Sequence, residues 1–449
     1  MLLSIGLFTL YSLTNTGISS RIEYFQKEFT NQLIYTVIGL LMSVVAFTVP
    51  PIYFKFKPVL AVAYIFTIGL LLYTLFFGLD IRGVRRWITI GSRVLEDGTI
   101  VGGMTIQASE FAKISTILIT SALLSTPVFQ NEEARAKLTK VKRFLFENKY
   151  VFISLLLNLV IIICIFAQKS LSVTTVTSFI IVAIMFANAR QKVLAFMASI
   201  AFIISVILSQ TIFYDISIAT RIGLFIGVLA LYIIAVYSEK LNDVAIFAAI
   251  AAGVVTGSLV LNFAWNNLIH DFQKQRIEAF MNPNRDAKEE GFQQEQSKIS
   301  IGAGQILGQG FRQVSDSRLL LLPEPTTDFI FAIFGFKFGF VGATMVVGIY
   351  LTLICRLYYL ADQMSDTFGS LVLIGVASMI LVQFFSNIGM NLDMLPVGGT
   401  TLPFISAGGS SLMSMIIGIA VCQNIIATNK VDRNVHQRKD KVMINGWNV

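Results

Sequence analysis

Glu110 and Lys113 stand three residues apart in the run "QASEFAKI", inside an otherwise apolar stretch. That spacing puts a carboxylate and an ammonium on one face of a helix. Ionisable groups in a spanning helix are costly and face a bundle interior or a wet cavity. The pair is therefore either a structural ion pair near a helix end or part of a polar site, and residue type leaves both open. A second concentration of charge is "DIRGVRRWITIGSR", which sets Arg82, Arg85, Arg86 and Arg93 around Trp87. A guanidinium offers a planar fork of donors that suits phosphate oxygens, so this stretch is a candidate anion site. A third lies between Trp265 and Asp328, where Arg276, Asp286, Lys298 and Glu324 occur in a strongly polar run. Asp286 follows a Pro-Asn-Arg turn among cations. It could serve as a catalytic carboxylate, although most loop aspartates are simply solvated. Asp215 in "FYDISIAT" and Asp328 in "TTDFIF" each stand at a helix start, where capping is enough to explain them.

These groups are positioned by an apolar chain. Of its 449 residues 55% are hydrophobic and 13% charged, against about 25% charged in a soluble domain. The composition predicts an all-α polytopic membrane protein. Windows of about 20 apolar residues place about twelve spans, near 2–16, 32–53, 58–78, 109–128, 150–167, 171–189, 193–213, 218–238, 243–264, 339–361, 368–390 and 406–428. Residues 1–428 then form one membrane-embedded domain, with a large extracellular loop at 265–327 between the ninth and tenth spans, and 429–449 form a basic tail. The segment 327–338 is apolar but interrupted by Gly335 and Lys337, and reads as a half-helix leading into the tenth span.

Basic residues in 129–149, at Arg190 and Lys192, and after Thr428 predict that these segments and both termini are cytoplasmic. The arginines near Trp87 then fall on the outer face, against that rule, while Trp87 itself suits headgroup level. Two glycine-rich runs flank the late spans: "IGAGQILGQGF", with Gly302, Gly304, Gly308 and Gly310, and "GGTTLPFISAGGSS", with Gly398, Gly399, Gly408 and Gly409. Irregular backbone at membrane depth must be buried or line a cavity, which points to a cavity opening outward. Neither run follows a strand with the spacing of a nucleotide-binding fingerprint.

Some chemistry is excluded. His270 and His436 are the only histidines, which argues against a histidine-rich metal site and against a Ser-His or Cys-His nucleophile. Cys164, Cys355 and Cys422 lie in apolar runs, so no disulfide framework is expected. The net charge of +8 suits anionic headgroups, and no soluble basic domain exists to bind nucleic acid. The apolar N-terminus has no basic n-region or cleavage motif before Arg21 and reads as a first membrane helix.

Six segments in order, "GVRRWITIG", "QASEFAKI", "DFQKQRIEAFMNPNRD", "QSKISIGAGQILGQGF", "LPEPTTDFIFA" and "SNIGMNLDMLPVGGTTLPFISAGGSS", resemble the SEDS family, the RodA/FtsW type of peptidoglycan glycosyltransferase. The wording is nearer the RodA branch. The resemblance covers nearly the whole chain and implies polymerisation of lipid II into β-1,4 glycan strands on the outer face of a bacterial cytoplasmic membrane, in elongation or division. It also implies a single-span class B penicillin-binding transpeptidase as partner. Position by position, it makes Asp286 the catalytic carboxylate. Arg86, Trp87, Glu110, Lys113, Arg276, Lys298, Glu324 and Asp328 fall in its substrate-binding segments, and Asp215, Gly302, Gly304, Gly408 and Gly409 have structural roles. No cofactor is required; a divalent cation bridging pyrophosphate and carboxylates is compatible, though no ligand cluster is visible.

The departures are specific. The family has ten spans, so a helix pair is inserted, placed by the sequence at about 150–189. The family's "PDLGT" is represented by "YDISIAT", its Gly-Glu-Glu by Gly335-Phe336-Lys337, the Pro after the catalytic Asp by Ala287, and the Tyr before the last Gly-Gly by Ala407. A flippase or other transporter, and a non-catalytic scaffold of a wall-synthesis complex, are the rival readings.

Overall fold

The computed structural model describes residues 1–14, 19–81, 84–91, 93–94, 100–101, 104–127, 149–188, 274, 276, 280, 290–310 and 324–446. Ten helices occur among them: α1 Leu2–Thr14, α2 Ser19–Thr48, α3 Lys57–Phe77, α4 Ala108–Leu124, α5 Lys149–Ala167, α6 Leu171–Asn188, α7 Glu290–Ala303, α8 Ile330–Asp362, α9 Thr367–Asn391 and α10 Gly409–Gly446. Seven of these are long and apolar enough to cross a membrane. The expected spans 193–213, 218–238 and 243–264 lie outside the described residues, as do Asp286, Asp215 and most of 265–327.

Boundaries moved where polar residues continue a helix that an apolar window cannot see. α2 begins at Ser19 and carries Arg21, Glu23, Lys27 and Glu28 ahead of its apolar part. It stops before Pro50 and Pro51, because proline has no N–H to continue the ladder. α3 then starts with Pro58 in its first turn and no side-chain cap, a position proline tolerates.

The expectation of an all-helical chain is corrected between α3 and α4. Strands β1 Leu79–Ile81, β2 Val84–Ile90 and β5 Met104–Ile106 form an antiparallel sheet in the order β1-β2-β5, and β3 Arg93–Val94 pairs with β4 Ile100–Val101. The sequence "VRRWITI" is rich in β-branched and aromatic residues, the composition that favours a pleated strand. It is too short and basic to register as a membrane element.

α9 and the apolar part of α10 are central, each 72% buried against 17% for α3. α2 and α10 run against one another. Gln32 of α2 donates to the Ser406 carbonyl, and its side-chain oxygen accepts from the Gly408 N–H. Farther along, the Asn424 amide donates to the carbonyls of Ala46 and Val49. One compact unit comprises residues 1–184 with 276–449, and a second comprises 185–275. Within the first, α5 packs on α3 and α4. Asn158 of α5 donates to Thr120 of α4, and the Tyr64 hydroxyl of α3 donates to the Leu157 carbonyl.

α8 is broken at Gly339, where φ is 66° and ψ is −166°. The residues before it form a buried half-helix. The glycine-rich run clasps this break: Gln309 and Gly310 donate to the carbonyls of Phe336 and Lys337, and Phe340 and Val341 donate back to Gln305 and Ile306. A side chain at Gly304 or Gly308 would lie 2.1 Å from the Gly335 or Lys337 carbonyl oxygen, so only glycine permits the approach. Lys337 reaches the Ser12 carbonyl at 2.8 Å and the Ser12 hydroxyl at 2.7 Å, tying the half-helix to α1.

Candidate active site

The segment between α9 and α10, residues 392–408, is irregular and bonded on every side. Ser406 donates to the Thr327 carbonyl at 2.6 Å, Ala407 donates to Thr326, and the Tyr350 hydroxyl of α8 donates to Pro403. Gln107, at the start of α4, donates its N–H to the Ser410 hydroxyl at 2.8 Å. The start of α4, the start of α8 and the start of α10 are thereby brought to one end of the bundle.

Four residues singled out in the sequence meet there. The Asp328 carboxyl is within electrostatic reach of Arg86 on β2, Arg276 and Glu324. Burial pushes it up and Glu324 pushes the same way; Arg276, a hydrogen bond with Thr327 and Arg86 pull down, and the result is about 7. A carboxyl in that range is partly protonated at neutral pH and can then donate a hydrogen bond as well as accept one. Glu324 adopts φ 48°, and Glu28 of α2 lies within its electrostatic reach.

Capping of the half-helix by Asp328, the simplest expectation from sequence, is not what the structure shows. Phe329 occupies the N-cap position with no side-chain cap. The cap comes from α9 instead, where Asn391 accepts from the Ala332 N–H at 3.1 Å. The side-chain amides of Asn387 and Asn391 donate to the Asp328 carbonyl at 2.9 and 3.0 Å. The backbone of Asp328 is thus fixed by α9 while its carboxyl is left to the arginines.

Lys113 and Glu110 form an ion pair of 2.8 Å on one face of α4, with the lysine side chain fully buried. Arg86 is half-buried and donates from Nη2 to the Lys169 carbonyl at 2.7 Å and from Nε to the Gln168 carbonyl at 3.4 Å. Its guanidinium lies 6.0 Å from the Trp87 ring centroid. The ammonium of Lys298 of α7 pairs with Asp393 at 2.6 Å. Among the glycines, Gly409 is in close approach to the Tyr35 ring, a side chain at Gly408 would begin 3.1 Å from Thr401, and one at Gly302 would meet nothing within 4 Å among the described residues. Asp286 and Asp215 lie outside the described residues. Among the described residues, no group of three or more His, Cys, Asp or Glu could hold a metal ion.

Sequence reasoning passed over Gln168, Asn387 and Asn391. The signal for the asparagines was present: Gln383, Asn387 and Asn391 recur every four residues in an apolar span, a polar stripe on one helix face.

The family model described as "Cell cycle protein", FtsW/RodA/SpoVE, matches residues 1–226 and 219–431. The chain belongs to this family. Among its curated relatives, peptidoglycan glycosyltransferase RodA of Treponema pallidum is 29% identical over 444 residues, covering 95% of each chain. Peptidoglycan glycosyltransferase MrdB of Escherichia coli K12 is 36% identical over 182 residues, 40% of this chain and 49% of the relative, so that match spans about half the length of MrdB. Two solved chains share the fold. One comes from a peptidoglycan synthase complex that coordinates polymerisation and crosslinking, with TM-score 0.60 at 20% identity over 95% of each chain. The other is the rod shape determining protein RodA of Thermus thermophilus, with TM-score 0.51 at 17% identity over 95% of this chain and 94% of that one. Family membership makes the chain a multi-pass membrane protein and accounts for a mostly helical fold built from apolar spans.

Proposed function

We propose that this protein is a peptidoglycan glycosyltransferase that polymerises lipid II into β-1,4-linked glycan strands. The observation that carries this reading is the match along 95% of its length to a relative named for that activity. The meeting of Arg86, Arg276, Glu324 and Asp328 at one end of the bundle supports it.

In this reading Asp286 takes the proton from the 4-hydroxyl of the acceptor sugar. That oxygen bonds to the anomeric carbon of the donor as the bond to undecaprenyl pyrophosphate breaks, and the centre inverts. A positioned base supplies roughly 10²–10⁴-fold, and preorganised charge at the leaving group supplies more. Arg86 and Arg276 are suited to the pyrophosphate. Asp328, when protonated, adds a hydrogen-bond donor beside them. Lys113 is satisfied by Glu110 inside α4 and serves by holding the start of that helix, with Trp87 at headgroup level and Lys298 holding α7 to Asp393. A divalent cation bridging pyrophosphate and carboxylates is compatible with this reading.

The topology that accompanies this reading has about twelve spans and both termini in the cytoplasm. The reactive end and the loop 265–327 then lie outside, and 429–449 is a basic cytoplasmic tail. A single-span class B penicillin-binding transpeptidase is the proposed partner, alongside membrane lipids. The inserted helix pair is placed at about 150–189.

The test is polymerisation of labelled lipid II by the purified protein, with and without the transpeptidase, comparing the parent with Asp286→Ala. Polymer from the parent alone supports both the activity and its base. Equal polymer from both removes Asp286, and none from either moves the reading to a transporter or a scaffold.

A further inference from the structure

Arg86 and Arg276 are like charges within electrostatic reach of each other, and the carboxyl they share, Asp328, is only partly ionised near neutral pH. Two guanidinium groups so placed repel. Something must keep Arg86 from swinging away when no polyanion is bound. The structure supplies it from the end of α5. The chain leaves that helix through Gln168, 1% exposed, whose N–H still donates to Cys164 and whose side-chain Nε2 donates to the Leu71 carbonyl of α3 at 2.9 Å. Lys169 follows at φ 59°, a left-handed conformation uncommon for a residue with a side chain. The two carbonyls of this turn accept from Arg86 at 3.4 and 2.7 Å. The C-terminal end of a helix carries partial negative charge that favours a cation, so the turn offsets the repulsion from Arg276.

The turn also faces the irregular segment. Ser170 accepts the Thr174 N–H at the start of α6. The Ser172 hydroxyl lies 3.3 Å from where a side chain at Gly398 would begin, and the neighbouring Gly399 abuts the Asp328 carboxyl. One short stretch of chain therefore touches the arginine and lies near the irregular segment that abuts the Asp328 carboxyl.

We propose that the turn Gln168–Lys169–Ser170 is the positioning element for Arg86, holding its guanidinium beside Arg276 so that the two receive the pyrophosphate of the lipid-linked donor. The proposal rests on the glycosyltransferase reading above. Gln168 and Lys169 are positioning residues: they act through Arg86 and touch no substrate.

The experiment uses the full-length protein with labelled lipid II, measures KM and kcat separately, and follows inhibition by added undecaprenyl pyrophosphate. Lys169→Val, whose branched side chain resists the left-handed conformation, raises KM on the order of tenfold and weakens the inhibition to match, the scale of one lost charge-assisted hydrogen bond. Lys169→Gly, which adopts that conformation freely, restores KM to within about twofold. In an Arg86→Lys background the Val substitution adds less than about twofold, because the fork it positions is gone. Gln168→Ala provides a second, milder disturbance with the same KM signature if Lys169→Val does not fold.

Unchanged KM in both turn variants overturns the proposal, as does full multiplication of the Lys169→Val and Arg86→Lys effects. A parent protein that makes no polymer overturns the glycosyltransferase reading and this proposal with it. A parent that is active while the turn variants match it overturns this proposal alone.

Discussion

Asn391 of α9 caps α8 by accepting the Ala332 N–H while its own amide holds the Asp328 carbonyl. One side chain thereby fixes both the start of the half-helix and the backbone of the buried carboxyl. Asn391→Ala removes one partner each from the Ala332 N–H, which keeps the Phe329 carbonyl, and from the Asp328 carbonyl, which keeps Asn387, a loss of about 0.5–1.5 kcal/mol per hydrogen bond. The expected outcome is a lower melting temperature in detergent and a fall in lipid II polymerisation. An unchanged melting temperature would show that the cap is dispensable.

Asp328 makes stability depend on pH in a definite direction. Its carboxyl is raised from 3.8 to about 7 in the folded protein, so the native state binds more protons than the unfolded chain between those values. Its contribution is present at low pH and is lost as pH rises from about 4 through 7, by at most about 4 kcal/mol. Thermal melting across that range should show the decline in the parent and a flatter curve in Asp328→Asn. Identical slopes would place the titration elsewhere.

The Glu110–Lys113 pair should show strong coupling. Glu110→Ala leaves a buried ammonium without its carboxylate, which costs about 3–5 kcal/mol, whereas the double replacement Glu110→Ala with Lys113→Met is far milder. A double-mutant cycle on melting temperature and folded yield measures this. Additive effects would mean the two side chains act separately.

At Gly308 the backbone has φ +84° and a built Cβ falls 2.1 Å from the Lys337 carbonyl oxygen. Gly308→Ala should reduce stability by more than about 1 kcal/mol, while Gly302→Ala, with nothing within 4 Å, should be close to neutral. Size-exclusion profiles and melting curves of the two variants give the comparison.

Lys298 and Asp393 are partly exposed at 48% and 29% by side chain. Such a pair contributes less than about 1 kcal/mol, so Lys298→Ala should leave the melting temperature nearly unchanged. If polymerisation nevertheless drops more than about tenfold, Lys298 touches substrate and is more than a tether for α7.

Much of the scaffold was legible because apolar runs of spanning length are a strong signal. The half-helix before the tenth span was legible because Gly335 and Lys337 interrupt an apolar run, and the chain does break nearby, at Gly339. The face shared by Glu110 and Lys113 followed from spacing alone. The rest depended on partners distant in sequence. Nothing near Asp328 announces that Asn391 will take over the cap of α8. The sheet at 79–106 was missed because its alternation is brief. Nor does anything announce that Arg86 reaches the carbonyls of Gln168 and Lys169, since a bond to a backbone carbonyl leaves no trace in side-chain identity.

The seam between α2 and α10 has a consequence for how the chain is made. Gln32 and the carbonyls of Ala46 and Val49 find their partners at Ser406, Gly408 and Asn424, more than 370 residues later. An early helix therefore enters the bilayer with polar groups whose partners here come from residues 406–424, and hydrocarbon offers them no substitute. A chain stopped before residue 406 lacks these partners and carries the mark of their absence. Proteolytic lifetimes of such stopped chains, compared with the full chain, would read that mark directly.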